Sequence, residues 1–251
     1  MKKYIQYILS AFFAGLLVIT GCVKSTEIVV NENSSIPDLS RISVSFEDAY
    51  GVLAAIKSIS IVNLNGIDIP AEARVATAAF VAHPGSGTNT DAGNVSLNSF
   101  MLTKQTNGTY LLQDFKNEVG LGTVTWVVTG SDTVPAINYT DDKVLPGYSG
   151  YTSIPASIKR SVGITIALGS YVTNADSVFV AIIGSDGKSV LKGMAGNATE
   201  CVFSSSDLAG LASGAGLIQV APWNYKKEDF NSHPYYFILE IAYTKVGVQI
   251  S

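Results

Sequence analysis

Tyr235, Phe237, Leu239, Ile241 and Tyr243 put an apolar side chain at every second position. Successive side chains of an extended strand point to opposite faces, so this spacing commits the segment to a strand with one buried face. The same alternation returns in Ile42, Val44 and Phe46, in Val124, Trp126 and Val128, and in Val162, Ile164, Ile166 and Leu168. Val246, Val248 and Ile250 continue the C-terminal stripe with shifted parity, which predicts a bulge or bend near Thr244-Lys245. Residues 178–183 are continuously apolar, as a central strand covered on both faces would be. Asp186-Gly187 then marks a hairpin, and Asn107-Gly108 between Leu102 and Leu111 marks another.

Residues 48–62 fit two patterns. Ala49, Val52, Leu53 and Ile56 make a helical stripe, but Gly51 weakens a helix and Ser58-Ile59-Ser60-Ile61 alternates, so a strand is expected. One short helix is predicted near residues 206–211, capped by Ser205 or Ser206 and ended by glycines. Short strands separated by turn residues argue for an all-β, antiparallel β-sandwich rather than a parallel α/β sheet. Between Pro135 and Pro155 the alternation fades while Pro146, Gly147 and Gly150 accumulate. This places a connection at 135–155, an N-terminal β-domain at 41–134 and an Ig-like sandwich at 156–251. The alternative is one continuous sandwich with a long crossover.

The amino terminus carries different information. Lys2 and Lys3 precede an apolar run from Ile5 to Ile19, followed by small Thr20 and Gly21. A basic start, an apolar middle and a small-residue cleavage site make residues 1–21 a secretory signal peptide. The run is shorter than the roughly 20 residues that span a bilayer. Ile19-Thr20-Gly21-Cys22 resembles the lipobox of bacterial lipoproteins. The resemblance implies that Cys22 becomes the first mature residue and carries lipid on its sulfur and amino group. More than one chain gives stable anchoring, at about 0.8 kcal/mol per buried methylene. Val23 at the next position implies transfer to the outer membrane. Polar residues 22–40 read as a flexible tether, with Ile28-Val29-Val30 able to dock.

Charge and cysteine content exclude several classes. Loss of Lys2 and Lys3 with the signal leaves 14 basic residues against 20 acidic ones, a net charge of −6. With no basic patch, nucleic acid is not an expected partner. Charged residues make up 14 per cent of the chain, low for a cytosolic protein and in keeping with a secreted β-protein. Cys201 is the one cysteine besides Cys22, so no intramolecular disulfide is expected, and Cys201 reads as a small buried hydrophobe.

No catalytic constellation stands out. His83 and His233 each precede a proline and are too far apart to make a zinc set alone. Gly147-Tyr148-Ser149-Gly150 is one residue short of the nucleophile elbow. Asp114, Glu118, Asp141, Asp142, Glu228 and Asp229 read as solvated carboxylates of loops rather than an acid–base pair. Residues 89–94 offer oxygen side chains but lack a closing bidentate glutamate, so a plain loop is expected and no metal or cofactor is assigned. Aromatic residues form the remaining candidate. Tyr148 and Tyr151 lie in the connection, and Trp223, Asn224 and Tyr225 in an expected loop over 222–230. An exposed ring there could stack a sugar while Asn224 bonds its hydroxyls; the competing reading is that Trp223 plugs the sandwich end. Trp126, on an alternating strand, reads as core.

With the lipobox, Trp126-Val127-Val128-Thr129-Gly130, Pro135-Ala136-Ile137-Asn138-Tyr139, Asn174-Ala175-Asp176-Ser177-Val178 and the 235–243 stripe, the chain resembles a group of uncharacterised bacterial surface and outer-membrane lipoproteins. The resemblance implies a β-sandwich exported to the cell envelope and carries no activity. The expected function is that of a lipid-anchored, non-enzymatic binding or structural module, its partners the membrane through Cys22 and a glycan or another envelope protein. The alternative is a carbohydrate-binding accessory of a glycan uptake system. A hydrolase with an unrecognised site is a third class.

Overall fold

The computed structural model describes residues 46–64 and 67–251. The signal peptide, Cys22, the tether, and Ile42 and Val44 lie outside the described residues. The described chain is all-β. Its first half holds β1 (Gly51–Leu64), β2 (Ile67–Phe80), β3 (Val95–Leu97), β4 (Phe100–Met101), β5 (Thr103–Lys104), β6 (Tyr110–Asp114), β7 (Val124–Val128) and β8 (Ile137–Asp141). The second half holds β9 (Gly147–Tyr148), β10 (Ser157–Ile158), β11 (Ile164–Ala167), β12 (Val172–Thr173), β13 (Ser177–Ile183), β14 (Ser189–Ala195), β15 (Glu200–Phe203), helix α1 (Ser205–Leu208), β16 (Gly214–Phe230) and β17 (His233–Ile250).

One long sheet runs in the order β14-β13-β16-β17-β1-β2-β6-β5, with β10 also on β17. Strands from both sides of residues 135–155 therefore share it. Its centre is two long hairpins laid side by side. Phe230 faces His233 across Asn231 and Ser232, whose φ angles are 51° and 62°. Positive φ at both central residues is the type I′ turn that matches strand twist, supplied here by Asn-Ser rather than Asn-Gly. Asn98-Ser99 makes the same turn between β3 and β4. The hairpins join through a parallel pairing of β1 with β17, from Gly51 beside Tyr235 to Ile61 beside Lys245. The expected antiparallel pairing holds for the other strand pairs except β10 with β17. Parallel neighbours need a long crossover, and nearly the whole described chain lies between β1 and β17.

Several sequence expectations are met locally. Residues 48–62 form strand, within β1. β13 and β14 pair across Asp186-Gly187, with Gly187 at φ 80°, and β5 and β6 across Asn107-Gly108. β13 is buried on both faces. The parity change in β17 falls at Gly247 rather than at Thr244-Lys245. Leu217 faces Val246 but Gly216 faces Val248, so Gly247, at φ 81°, is the extra residue of a bulge. Glycine takes that left-handed conformation without a Cβ clash. Val246 consequently turns outward while Val248 and Ile250 point into the core. The short helix exists, but its cap is Ser204. Its hydroxyl accepts from Asp207 N (3.2 Å) and the Asp207 carboxylate accepts from Ser204 N (2.7 Å), a reciprocal capping box that Ser205 and Ser206 cannot form.

Odd-numbered side chains of β17 before Gly247, and even-numbered ones beyond it, face two apolar clusters. Tyr235, Phe237 and Leu239 join Leu53, Phe80, Tyr110 and Trp126 beneath the small sheet β4-β3-β7-β8. Farther along, Tyr243, Val248 and Ile250 join Val180, Phe203, Leu208 and Cys201 beneath β11-β15, β9-β12 and α1. Trp126 and Cys201 are core, as their sequence settings imply. Even-numbered side chains of β17 before Gly247 face the other way, where Ile238 and Ala242 join Ala54, Ile56, Val75, Ala221 and Trp223 in a third cluster.

Candidate functional site

The expected loop over 222–230 is the second half of strand β16. Pro222 has no N–H to give a ladder. The register with β17 passes over Ala221 and Pro222, and this gap accommodates the proline. Trp223 is thus in the middle of the sheet and 0% exposed. Its ring stacks on Phe179 at 5.3 Å and leans on Phe46 at 6.1 Å, which leaves no free face for a sugar ring. Tyr225 is half-buried beside it, with ring centroids 5.9 Å apart.

Tyr148 and Tyr151 sit elsewhere, against Tyr243 on the odd face. Tyr148 is buried, its hydroxyl donates to the Ala167 carbonyl (3.1 Å), and burial pushes its phenol pKa up. Tyr151 stacks nearly parallel on Tyr243 at 6.0 Å and is partly exposed. The aromatic candidates therefore do not form one surface.

Asn224 does reach an open cleft of about 470 Å³. Three loops meet β16 at Asn224, well inside the strand: residues 143–144 after β8, 174–176 before β13, and 196–197 after β14. Asp176 is the hub. Its amide donates to the Asn224 side-chain oxygen (3.1 Å) and its carboxylate accepts from Tyr225 N (3.1 Å) and Lys143 Nζ (3.0 Å). Lys143 Nζ also donates to the Tyr225 carbonyl (3.1 Å), and the Asn224 amide donates to the Val144 carbonyl (3.1 Å). Gly196 N donates to the Asp176 carbonyl (2.9 Å), and a Cβ on Gly196 would overlap the Ala175 carbonyl oxygen. Only glycine lets the two loops approach this closely. Asn174, at φ 53°, and Asn197 present exposed amides, and Val144, 65% exposed, adds an apolar patch.

The carboxylate and the ammonium are occupied by each other and by backbone groups, leaving amide donors and acceptors to meet a ligand. The volume suits a small molecule or the end of a polymer. Sequence reading named Asn224 and missed Lys143, Asn174, Asp176, Gly196 and Asn197. Asn174-Ala175-Asp176 entered the sequence reading only among the residues that carry the lipoprotein resemblance, and its meeting with Lys143 and Gly196 depends on non-local pairing.

The other sequence candidates have structural roles. Asp114 accepts from Lys116 N and Val119 N (3.0 and 2.7 Å), and Asp141 accepts from Lys143 N (2.9 Å), so each carboxylate ties its own loop. Glu228 and Asp229 lie in β16, not in a loop. Within 89–94, Asp91 accepts from Tyr110 Oη (2.7 Å), Gly93 N (3.0 Å) and Lys104 Nζ (3.1 Å). The Tyr110 hydrogen bond, then Lys104 and Gly93, lowers its pKa to about 2. His233 stacks on Tyr50 at 3.9 Å, and His83 is exposed in a turn. Among the described residues, no group of three or more His, Cys, Asp or Glu side chains is placed to hold a metal ion. No helix among them is long and apolar enough to cross a membrane. No protein-family model matches the chain, and no curated protein matches its sequence at a significant level.

Proposed function

We propose that this chain is a lipid-anchored protein of the cell envelope, held at the outer membrane through Cys22, and that it works as a non-enzymatic binding or structural module. The observation that carries the binding part is the Asp176 cleft, whose charged pair is already neutralised while the amides of Asn174 and Asn197 stand free to meet a ligand. A stiff sheet that holds loops in fixed positions suits such a role. The anchor part rests on Ile19-Thr20-Gly21-Cys22 and its lipid arithmetic. Cys22→Ser leaves the precursor unlipidated, and the protein then moves from the detergent phase to the aqueous phase on partitioning. Partitioning that survives this change overturns the anchor.

The same cleft favours one narrower reading, a glycan-binding accessory in glycan uptake. Exposed amides beside an apolar patch match the alternating hydroxyls and C–H face of a sugar. Trp223, being enclosed, has no part in it. A glycan array probed with wild type and with the Asn174→Ala/Asn197→Ala double variant tests this. Binding by wild type that falls at least tenfold in the variant supports it; no binding by either protein, or equal binding by both, ends it.

A further inference from the structure

The small sheet β4-β3-β7-β8 covers the first apolar cluster with one face and turns the other to solvent. Leu97, Trp126 and Ile137 point inward. Ser96, Thr125, Val127, Asn138 and Thr140, at the alternate positions, point outward. Register sets Met101, Ser96, Val127 and Asn138 in one row across the four strands. Thr125 and Thr140 make the row beside it, their hydroxyls 3.0 Å apart. Met101 is 54% exposed and Val127 39%. None of these outward residues is charged. The one charge within the four strands, Asp141, is buried and accepts from Lys143 N. Positions 92–102, 119–131 and 133–140 hold no Asp, Glu, Lys or Arg at all. The second cover is built otherwise, for on β15 the exposed Val202 has exposed Glu200 on the same side. Loss of charge around exposed apolar side chains is the mark of a surface that meets another protein.

We propose that this face is a self-association surface, met by the same face of a second copy of the chain. The chain is acidic, with a formal net charge of −4. Copies that approach on charged surface set like charges against each other, whereas on this face there are none to oppose. The row is also complementary to itself. A two-fold axis along β7 through Val127 lays Val127 on its own copy. Ser96 and Asn138 flank Val127 on the neighbouring strands. The same axis therefore brings the Ser96 hydroxyl of each copy to the Asn138 amide of the other, on both sides of an apolar centre. Four strands about 4.8 Å apart and up to about 17 Å long offer roughly 300 Å². A standard stable interface takes about 800 Å² from each partner, so this dimer is weak and reversible.

The test uses the chain from Cys22 onward, made without lipid and kept reduced. Apart from the initiating methionine, its methionines are Met101 on this face and Met194, buried in the second cluster. Methyl-labelled methionine thus gives one NMR reporter on the face and one control. The concentration is raised from about 10 µM to about 1 mM, the range of a weak contact. The Met101 signal shifts, Met194 stays in place, and the mean mass by sedimentation rises toward twice that of the monomer. A chain that stays monomeric overturns the proposal, and so does a dimer that leaves Met101 unmoved. Val127→Lys and Val127→Glu, both at an exposed position, each weaken association at least tenfold, and mixing the two in equal amounts restores it. A mixture as weak as either variant alone overturns the two-fold contact. The unaltered chain's concentration series decides even where a variant loses the Met194 signal of the folded state.

Discussion

The two faces of β17 are built by different rules. On the odd side large side chains interlock under dedicated covers: Phe237 stacks on Tyr139 at 3.8 Å and meets Phe230 edge-on at 6.2 Å. On the even side small residues such as Ala54, Ala221 and Ala242 surround a buried carboxyl and two unpartnered hydroxyls. One strand thus serves two buried faces of different make-up. Burial alone does not distinguish them, because both sides are nearly inaccessible. Hydrogen-bond accounting separates them by degree: the odd face strands the Tyr235 hydroxyl, the even face the Ser60 and Ser177 hydroxyls and one Glu240 oxygen.

Adjacent substitutions break the symmetry most directly. Phe237→Ala should cost about 3–5 kcal/mol in chemical denaturation. Ile238→Ala, one residue on and on the opposite face, should cost about 2–5 kcal/mol in the mature chain. A larger loss for Ile238→Ala than for Phe237→Ala would erase the difference between the faces.

Glu240 sharpens the comparison through pH. Burial pushes its carboxyl pKa up to about 8, from an ordinary 4.5. The groups beside it on the flanking strands, Ile56 and Trp223, are not titratable, and neither are Ile238 and Ala242 on its own strand. The folded state therefore holds the proton more tightly than the unfolded state. The associated stability is complete below about pH 4.5 and is lost as pH rises through about 8. Glu240→Gln should flatten that decline and gain roughly 1–3 kcal/mol at pH 8, read from denaturation midpoints at pH 5 and pH 8. Ser204→Ala removes the capping box on the odd side and should cost about 1 kcal/mol at any pH. The smallest effect is local: Tyr110→Phe should raise the Asp91 titration midpoint from about 2 toward 3.8 in a carboxyl-resolved NMR titration, because its leading hydrogen bond is gone.

Period-two spacing made the strands legible wherever one face was polar. β7 and β11 are read directly, and β13 from its unbroken apolar run. The method failed where a strand is buried on both sides and interrupted. Trp223, Asn224 and Tyr225 look like loop residues because Pro222 precedes them and charges follow, yet the skipped ladder positions let the strand run through. Type I′ turns at Asn98-Ser99 and Asn231-Ser232 escaped notice because the left-handed positions carry serine instead of glycine. The cleft was least legible of all, since its polar groups converge only after four separate segments have been placed. Local pattern reports which way a side chain points, and it is silent about what comes to meet it.

The parallel seam between β1 and β17 sets the order in which this molecule can be finished. The first hairpin emerges early from the ribosome with one long flank of amide and carbonyl groups exposed. Its partner, β17, is made only after the other described strands. Contacts of such sequence separation form slowly, and open strand flanks invite pairing with other chains in the meantime. A nascent chain of this design depends on being kept apart from its neighbours until β17 arrives, and a stop codon placed before residue 233 would leave that flank open permanently.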